Sequence, residues 1–425
     1  MSILFPDSWP FDLNLLPPDA YLVGGAVRDS LLKRRSPHLD LDFVLPRQAV
    51  TTARQIANRY KAGFVLLDAE RRIARVVFDR ATVDFAKLEG TNLVADLQRR
   101  DYTINAIAYN PHTGEWLDPL GGRADLERRV LRMVSPTNLA DDPLRLLRAY
   151  RQAAQLNFAI EAQTQGAIAQ LARLLRQVAP ERIQTELEYL LDCPSGGEWI
   201  AAAWEVGLLQ PYFPDATGDR LRIAAEIERA AAAIGDRWPA LKQEFAQNLH
   251  PRFKVSGYRA IAKLATLLPR EVKAAETQLM QLKFSRAQMH AAVRTLKGWL
   301  RLTTETAELS ALDLNHSSPR SLYFLFEAVD NMFPALVAIA VAGGMPLDAW
   351  SGAIARYLDP QDIIAHPTPL VTGKQLMQAL GLRGGPQIGQ LLADIQLARV
   401  EGRIHTPEDA LDFAAQCRDR GVGGS

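Results

Sequence analysis

Two aspartates, Asp40 and Asp42, interrupt the apolar run Leu39-Asp40-Leu41-Asp42-Phe43-Val44-Leu45. On a β-strand that spacing sends both side chains to one face. Like charges side by side on a strand repel unless a cation lies between them. The pair therefore predicts a divalent metal, Mg²⁺, held by carboxylate oxygens and by the phosphates of a substrate. Upstream, Tyr21-Leu22-Val23 predicts a short strand, and Gly24-Gly25 leads from it into the amphipathic segment Val27 to Leu32. Glycines there let the backbone approach a ligand closely. A helix that starts there aims free N–H groups and a positive dipole at an anion. Arg28, in the first turn, adds a guanidinium fork suited to phosphate. A lone GG is usually a tight turn and a lone DxD an exposed polar pair. Their joint occurrence as strand, GG, helix and DxD strand points to phosphate and metal chemistry.

The elements that must position these groups follow in order. Residues 49–60 have helical periodicity, and Phe64 to Asp68, Ile73 to Phe78 and Thr82 to Phe85 predict short strands. Together they give a small mixed sheet, with Asp84 as a candidate third carboxylate on a strand beside Asp40 and Asp42. Its plainer reading is an edge-strand charge. Residues 96–110, DLQRRDYTINAIAYN, predict a helix that opens on Arg99-Arg100-Asp101 and places Asn105 one turn later. In 118–132 Gly121-Gly122 predicts a loop, and Asp125 begins a helix or an extended connector. In 141–151, DDPLRLLRAYR, Asp141 or Asp142 suits a helix N-terminus and Pro143 the first turn. Asp142, Arg145 and Arg148 then recur every three residues, with Arg151 next. Without further information this is a helix with a basic, solvated face.

GGAVRD followed by LDLDF resembles the nucleotidyltransferase superfamily of DNA polymerase β. Within it the chain resembles the class II tRNA nucleotidyltransferases, the CCA-adding enzymes, and the related bacterial poly(A) polymerases. RRDYTINA matches that family's RRDxTINA motif. The resemblance implies that Arg100 contacts the triphosphate and that Asp101 or Asn105 touches the ribose. It implies that Asp142 and Arg145 read the base, with Arg148 and Arg151 helping to hold the nucleotide. The chemistry is coherent. A carboxylate accepts from the exocyclic amine of cytosine or adenine, and a guanidinium donates to the ring nitrogen. Uracil and guanine would leave a buried charge unpaired. The family usually has Glu-Asp where this chain has Asp141-Asp142. PERIQTELEYLLD, 180–192, resembles the family's fifth motif, with Glu181, Arg182 and Glu186 bracing the base-reading helix. Residues 118–132 resemble its third motif, a hinge to the next domain.

The expected fold is therefore α+β: a small mixed-sheet, polymerase β-like head over 1–138, then an all-helical neck (139–195), body (196–302) and tail (303–425). Arg252, Lys254, Arg259, Lys263, Arg270 and Lys273, with Arg294, Lys297 and Arg301 on one helical face, are candidates for an RNA backbone. Lys374 and the loop 383–389 are further candidates. Residues 418–425 are expected to be disordered.

The chain has 425 residues, enough for several domains with ample core. Its 48% hydrophobic and 23% charged content is ordinary for a soluble globular protein. A net charge of +1 does not announce a nucleic-acid binder, so any RNA surface must come from local clustering. The two cysteines, Cys193 and Cys417, form no metal-spacing motif and suggest a reducing cytoplasm. The N-terminus lacks a basic n-region and is broken by prolines, so no signal peptide is expected. No run of eighteen apolar residues is present, and no membrane span is expected.

The expected substrates are the tRNA 3′ end with CTP, ATP or both. Between the strand ending at Phe85 and Arg99 the chain offers only AKLEGTNLVADLQ. The resemblance leads us to expect a longer flexible loop there in complete CCA-adding members, so the short segment points to the CC-adding subgroup. Complete CCA-adding and A-adding activities are the alternatives. A poly(A) polymerase is disfavoured because no long basic extension follows the tail. A non-catalytic tRNA-binding or chaperone protein on the same fold would be favoured by loss of Asp40, Asp42, Asp142 or Arg145; all four are present. A dinucleotide-binding Rossmann unit is the weaker rival, since GGAVRD is not GxGxxG and no acidic ribose binder ends a second strand.

Overall fold

In the strand that carries Asp40 and Asp42, apolar and acidic residues alternate, and the fold sorts them onto opposite faces of one sheet. The computed structural model of the protein describes residues 4, 6–34, 38–247, 257–305 and 313–422. Its first elements are β1 (Tyr21–Val23), α1 (Gly25–Leu31), β2 (Leu39–Leu45), α2 (Ala49–Tyr60), β3 (Gly63–Asp68), β4 (Ile73–Val77) and β5 (Ala81–Lys87). Then come α3 (Leu93–Gln98), β6 (Ala108–Tyr109) and β7 (Trp116–Leu117). The seven strands are ordered β3-β4-β5-β2-β1-β6-β7. Strand β2 runs antiparallel to β1 and parallel to β5. Leu41, Phe43, Val83, Phe85, Ala74 and Val76 are all buried on one face. Trp9 and Phe11 seal it, their ring centroids 5.2 and 6.1 Å from that of Phe43. Asp40, Asp42, Thr82, Asp84, Ile73 and Arg75 alternate with these residues and occupy the other face, which no helix buries fully. The mixed sheet and the strands predicted from 64–85 are as expected.

Three local expectations are corrected. Residues 96–110 are not one helix: α3 ends at Gln98, Thr103–Asn105 is a single 3-10 turn, and β6 follows. Tertiary partners override the helical pattern. Tyr102 bridges to Met133, Thr103 N–H donates to the Arg132 carbonyl, and every residue from Asp101 to Ala108 is buried. Asp141-Asp142 does not open a helix either. Ser135 caps α5 (Pro136–Asp141), and α6 runs from Leu144 to Leu156. Asp142 sits between them with extended backbone (φ −134°, ψ 91°), as the residue before a proline must. The third concerns the C-terminus: Pro407–Val422 is helical, so 418–422 are ordered, while 423–425 lie outside the described residues.

After β7 come α4 (Gly122–Arg128), β8 (Val130–Leu131), α5, α6, β9 (Ala159–Ile160), α7 (Ala162–Leu171), α8 (Pro180–Asp192) and α9 (Gly196–Glu205). The remainder is helical: α10 (Gly218–Arg237), α11 (Pro239–Phe245), α12 (Tyr258–Leu267), α13 (Val272–Gln281), α14 (Arg286–Glu305), α15 (Pro319–Val329) and α16 (Phe333–Ala342). The last are α17 (Ser351–Leu358), α18 (Gly373–Leu380), α19 (Pro386–Val400) and α20 (Pro407–Val422). The chain divides into two compact units, Met1–Leu190 with Ala202–Pro211, and Leu191–Ala201 with Tyr212–Ser425. In the second, Phe333 to Ala340 is buried at every position and forms the core with α10 and α12. The stretch Pro319–Ala342 is apolar and long enough to cross a membrane, but 67% of its most apolar window is buried inside this unit. Lys263 is fully buried and satisfied, its Nζ donating to the Leu191 and Cys193 carbonyls and to Glu228. Arg252 and Lys254 lie outside the described residues. In the tail, Pro386 to Gly389 already form the first turn of α19, so only 383–385 remain loop.

Candidate active site

The turn after β1 exists because Gly24 takes φ +72°, a conformation that side chains resist. A Cβ there would lie 3.2 Å from Asp42 Oδ2 and 3.6 Å from Arg100 Nη1. The backbone turn, the strand carboxylate and Arg100 therefore converge within one side chain's width. Gly25 opens α1, as predicted. Arg28 does not reach out freely towards a phosphate. Its Nη1 donates to Asn105 Oδ1 (3.0 Å) and Gln152 Oε1 (3.3 Å), and its Nε to Asp29.

Register places Asp42 beside Asp84 across β2 and β5, and Asp84 beside Arg75 across β4. Arg75 grips both oxygens of Asp84 at 2.7 and 2.8 Å. Asp84 thus stands where a third carboxylate was expected, but already paired. Asp40 is exposed, with His38 Nε2 3.5 Å away. Asp42 carries the tension of the site. Burial, then the charge of Asp84 and more weakly that of Asp40, push its carboxyl up to about 6, against the pull of Arg100 and Arg75. Among the described residues no three His, Cys, Asp or Glu side chains form a ready-made metal cage. Two carboxylates on one strand face, one of them crowded by like charge, fit a divalent cation that takes its other ligands from phosphate and water. Arg100 Nε is buried and without a hydrogen-bond partner among the described residues, which suits a phosphate arriving beside them.

A pH prediction follows. Asp42 has a folded-state value above the ordinary one, so its contribution to stability is fully present below about 4 and is lost as pH rises through about 6. Asp42→Asn should therefore stabilise chelator-treated protein above pH 6 by on the order of 1 kcal/mol, raising its melting temperature there, and leave it unchanged at pH 4. Melting curves across pH in a metal chelator measure this, and an equal gain at both ends would contradict the assignment.

Behind the carboxylates lies a buried polar network. Asp101 accepts from the Tyr102 amide (2.8 Å), Asn105 Nδ2 (2.9 Å) and Arg148 Nε and Nη2 (3.2 and 3.1 Å). Burial alone would raise its carboxyl, but Arg148 and these hydrogen bonds hold it at about 2. Arg148 also faces Glu186 (3.5 Å), and Arg151 donates to Glu186 (2.5 Å) and Gln155 (2.6 Å). So Asp101 and Asn105 fix the position of α6. Arg151 ties that helix to Glu186 of α8 and is not among the residues that line the cleft.

The cleft itself has a volume of about 260 Å³ and is lined by Arg100, Asp101, Asp142, Arg145, Arg148 and Arg182, with Leu144. Asp142 pairs with Arg182 at 3.0 Å, and Arg145 Nη1 donates to the carbonyls of Arg99 (2.9 Å) and Asn138 (3.0 Å). The two proposed base readers are thus separately oriented rather than bonded to each other. Of the bracing residues expected on α8, Arg182 and Glu186 make ion pairs to Asp142 and to Arg148 and Arg151, while among the described residues the Glu181 carboxylate makes no ion pair.

Four positions were missed in the sequence. Gln152 is buried and joins Arg28, Asn105 and Asp101. It lies one turn beyond Arg148 on the same helix face, a signal that was available. Asp96 is buried, accepts from the Glu89 amide (3.0 Å) and pairs with Arg100 (3.2 Å). Asn138 Nδ2 donates to the Gln98 and Arg100 carbonyls. Arg75 reveals its role only through strand register. Between Lys87 and α3 only residues 88–92 remain, and they are pinned: Asn92 caps the Ala95 amide (2.9 Å), and Glu89 pairs with Arg99. This segment holds Arg100; it is no free loop.

The chain is similar to known proteins along most of its length. Residues 20–92 and 87–132 match the poly(A) polymerase head domain, 157–219 the RNA and SrmB-binding site of polymerase A, and 255–414 the tRNA nucleotidyltransferase domain 2. The chain is 46% identical to a CC-adding tRNA nucleotidyltransferase of Synechocystis sp. over 96% of its length and 95% of the relative's. It is 31% identical to an A-adding tRNA nucleotidyltransferase of Deinococcus radiodurans, over 96% of this chain and 97% of that one. A solved CCA-adding enzyme in complex with ATP shares the fold, with a TM-score of 0.70 at 20% identity, covering 94% of this chain and 90% of the other. Strand-borne carboxylates, a glycine turn beside them and this near full-length similarity lead to one conclusion: the chain belongs to the tRNA nucleotidyltransferase family.

Proposed function

We propose that the protein is a CC-adding tRNA nucleotidyltransferase, which transfers two CMP residues from CTP to tRNA ending before its CCA and releases pyrophosphate. The observation that carries the subtype is the segment 88–92, too short and too firmly pinned to move the base-reading helix. The 46% identity to a CC-adding relative supports it. The cytoplasm, where tRNA matures, is the proposed setting.

Asp40 and Asp42 would hold Mg²⁺, which when bound makes the RNA 3′-hydroxyl more acidic and offsets charge on the departing pyrophosphate. The protein's own groups do the rest. The Gly24 turn leaves room for phosphate oxygens beside Asp42, and Arg100, held by Asp96, donates to them. Asp142 accepts from the cytosine amine while Arg145 donates to its ring nitrogen. Asp101, Arg148 and Gln152 keep α6 in place, so these donors need no reorganisation during transfer. The four-part division into head, neck, body and tail is proposed as the functional one, with tRNA held by the helical body and tail. Asp84, gripped by Arg75, is proposed to add negative charge beside Asp42 that draws the cation in, rather than to bind metal directly. Incubating tRNA that lacks its 3′ end with each labelled NTP should give two residues from CTP and none from UTP or GTP. Incorporation of one, or of more than two, would overturn the reading.

A further inference from the structure

In the helical unit a cavity of about 640 Å³ is lined by two arginines, Arg220 and Arg270, and by Asp215 and Asp219. Arg220, in the first turn of α10, lies over Trp299 of α14, its Cζ 5.0 Å from the ring centroid. Arg220 Nε and Nη2 are shut off from solvent and have no hydrogen-bond partner among the described residues. The same holds for Nε1 of Trp299, a residue only 7% exposed. Arg220 has one polar contact, a long one, from Nη1 to the Asp215 carbonyl at 3.5 Å. Arg270 lines the same cavity and, among the described residues, donates to Thr303 Oγ1 at 3.1 Å. Among the described residues neither guanidinium makes an ion pair, although carboxylates are near: Asp219 faces Arg222 at 3.7 Å, and Asp215 offers Arg220 its backbone oxygen.

Such an arrangement costs free energy while it is empty. Buried donors without acceptors lose their hydration, and two cations face one another. Burial, then the charge of Arg270, pull the Arg220 guanidinium down to about 10, against the weaker opposing charge of Asp215. The N-terminus of α10, a helix of twenty residues, opens at the same place, and its Thr217 makes no side-chain cap, so the first amides stay available. Two guanidinia, an indole N–H and an uncapped helix start supply donors to the cavity, while the Asp215 and Asp219 side chains on its lining are exposed to solvent. The common complement of these donors is a compact oxyanion with several acceptor oxygens.

We propose that this cavity binds a phosphate group, and that in the working complex the phosphate belongs to the backbone of the RNA being extended. The RNA occupant rests on the proposed function; the phosphate chemistry does not. Because Arg270 is exposed and Arg220 repels it, removing Arg270 has opposite effects on folding and binding. Arg270→Gln should raise the melting temperature of the RNA-free protein, whereas a merely structural arginine would lower it. The same variant should raise KM for tRNA about tenfold, leave KM for CTP and kcat at saturating tRNA unchanged, and reduce the salt dependence of tRNA binding by about one phosphate contact. Arg220→Gln serves as the second variant. Inorganic phosphate, titrated against melting temperature, tests the cavity without RNA and should stabilise the wild type but neither variant. Phosphate stabilisation with unchanged tRNA binding would keep the phosphate site and overturn its RNA occupant. Loss of neither response in the variants would overturn the proposal. A wild type that failed to extend tRNA would defeat the proposed function, while the phosphate titration would still decide the cavity.

Discussion

Asp42→Ala and Asp40→Ala should each lower nucleotide transfer by roughly 10³-fold or more, because metal-borne charge stabilisation supplies several kcal/mol of the barrier reduction. Neither change should unfold the protein. Asp40 is exposed, and the Asp42 carboxylate is crowded by Asp84 and Asp40 rather than stabilised by them. Arg100 and Arg75 give back part of that cost, which is why Asp42 remains chargeable at neutral pH. Single-turnover CMP incorporation with Mg²⁺ present, together with a melting curve, tests both halves. Activity within tenfold of wild type in either variant would remove these aspartates from the metal site.

Arg145→Ala should relax base choice as well as slow transfer, with discrimination against UTP falling roughly 10- to 100-fold, the worth of one well-placed hydrogen-bonding pair. The logic is repulsive as much as attractive. Arg145 confronts the N–H of uracil with another donor, and removing it removes that clash. Its side chain is aimed by the carbonyls of Arg99 and Asn138, contacts that carry no core packing. The Tyr102 hydroxyl bonds the Arg145 backbone carbonyl and survives the substitution, so α6 should keep its place. Selectivity is measured as the ratio of kcat/KM values for the four nucleotides on one tRNA. An unchanged ratio would mean that another group reads the base.

Much of the site was legible because its chemistry sits in short, local patterns. Asp40 and Asp42 announce themselves by a strand spacing, and Gly24 by a turn that tolerates no side chain. The pairing of Asp84 with Arg75 was not legible, since β4 and β5 meet only through sheet register. The segment from Asp96 to Asn110 misled for a related reason. Its apolar residues recur with helical spacing, yet they are buried by β-type and long-range contacts to Met133 and Arg132. At Asp142 the periodicity of 141–151 outweighed the rule that a residue before proline leaves the helix. The helix break matters, because it turns the Asp142 carboxylate towards Arg182 and the cleft. Arg270 was visible only as a basic residue; that neither it nor Arg220 makes an ion pair among the described residues is a three-dimensional fact.

The central claim is that base reading by Asp142 and Arg145 cannot be reset from C to A, because residues 88–92 are short and tied to Asp96 and Ala95. A pocket changes specificity only through an element with two arrangements. The direct test offers tRNA ending in CC together with ATP, beside tRNA ending before CCA together with CTP, at equal enzyme and Mg²⁺ concentrations. The account predicts two C residues on the second substrate and little or no A on the first. Efficient addition of A to the CC-ending tRNA would contradict it.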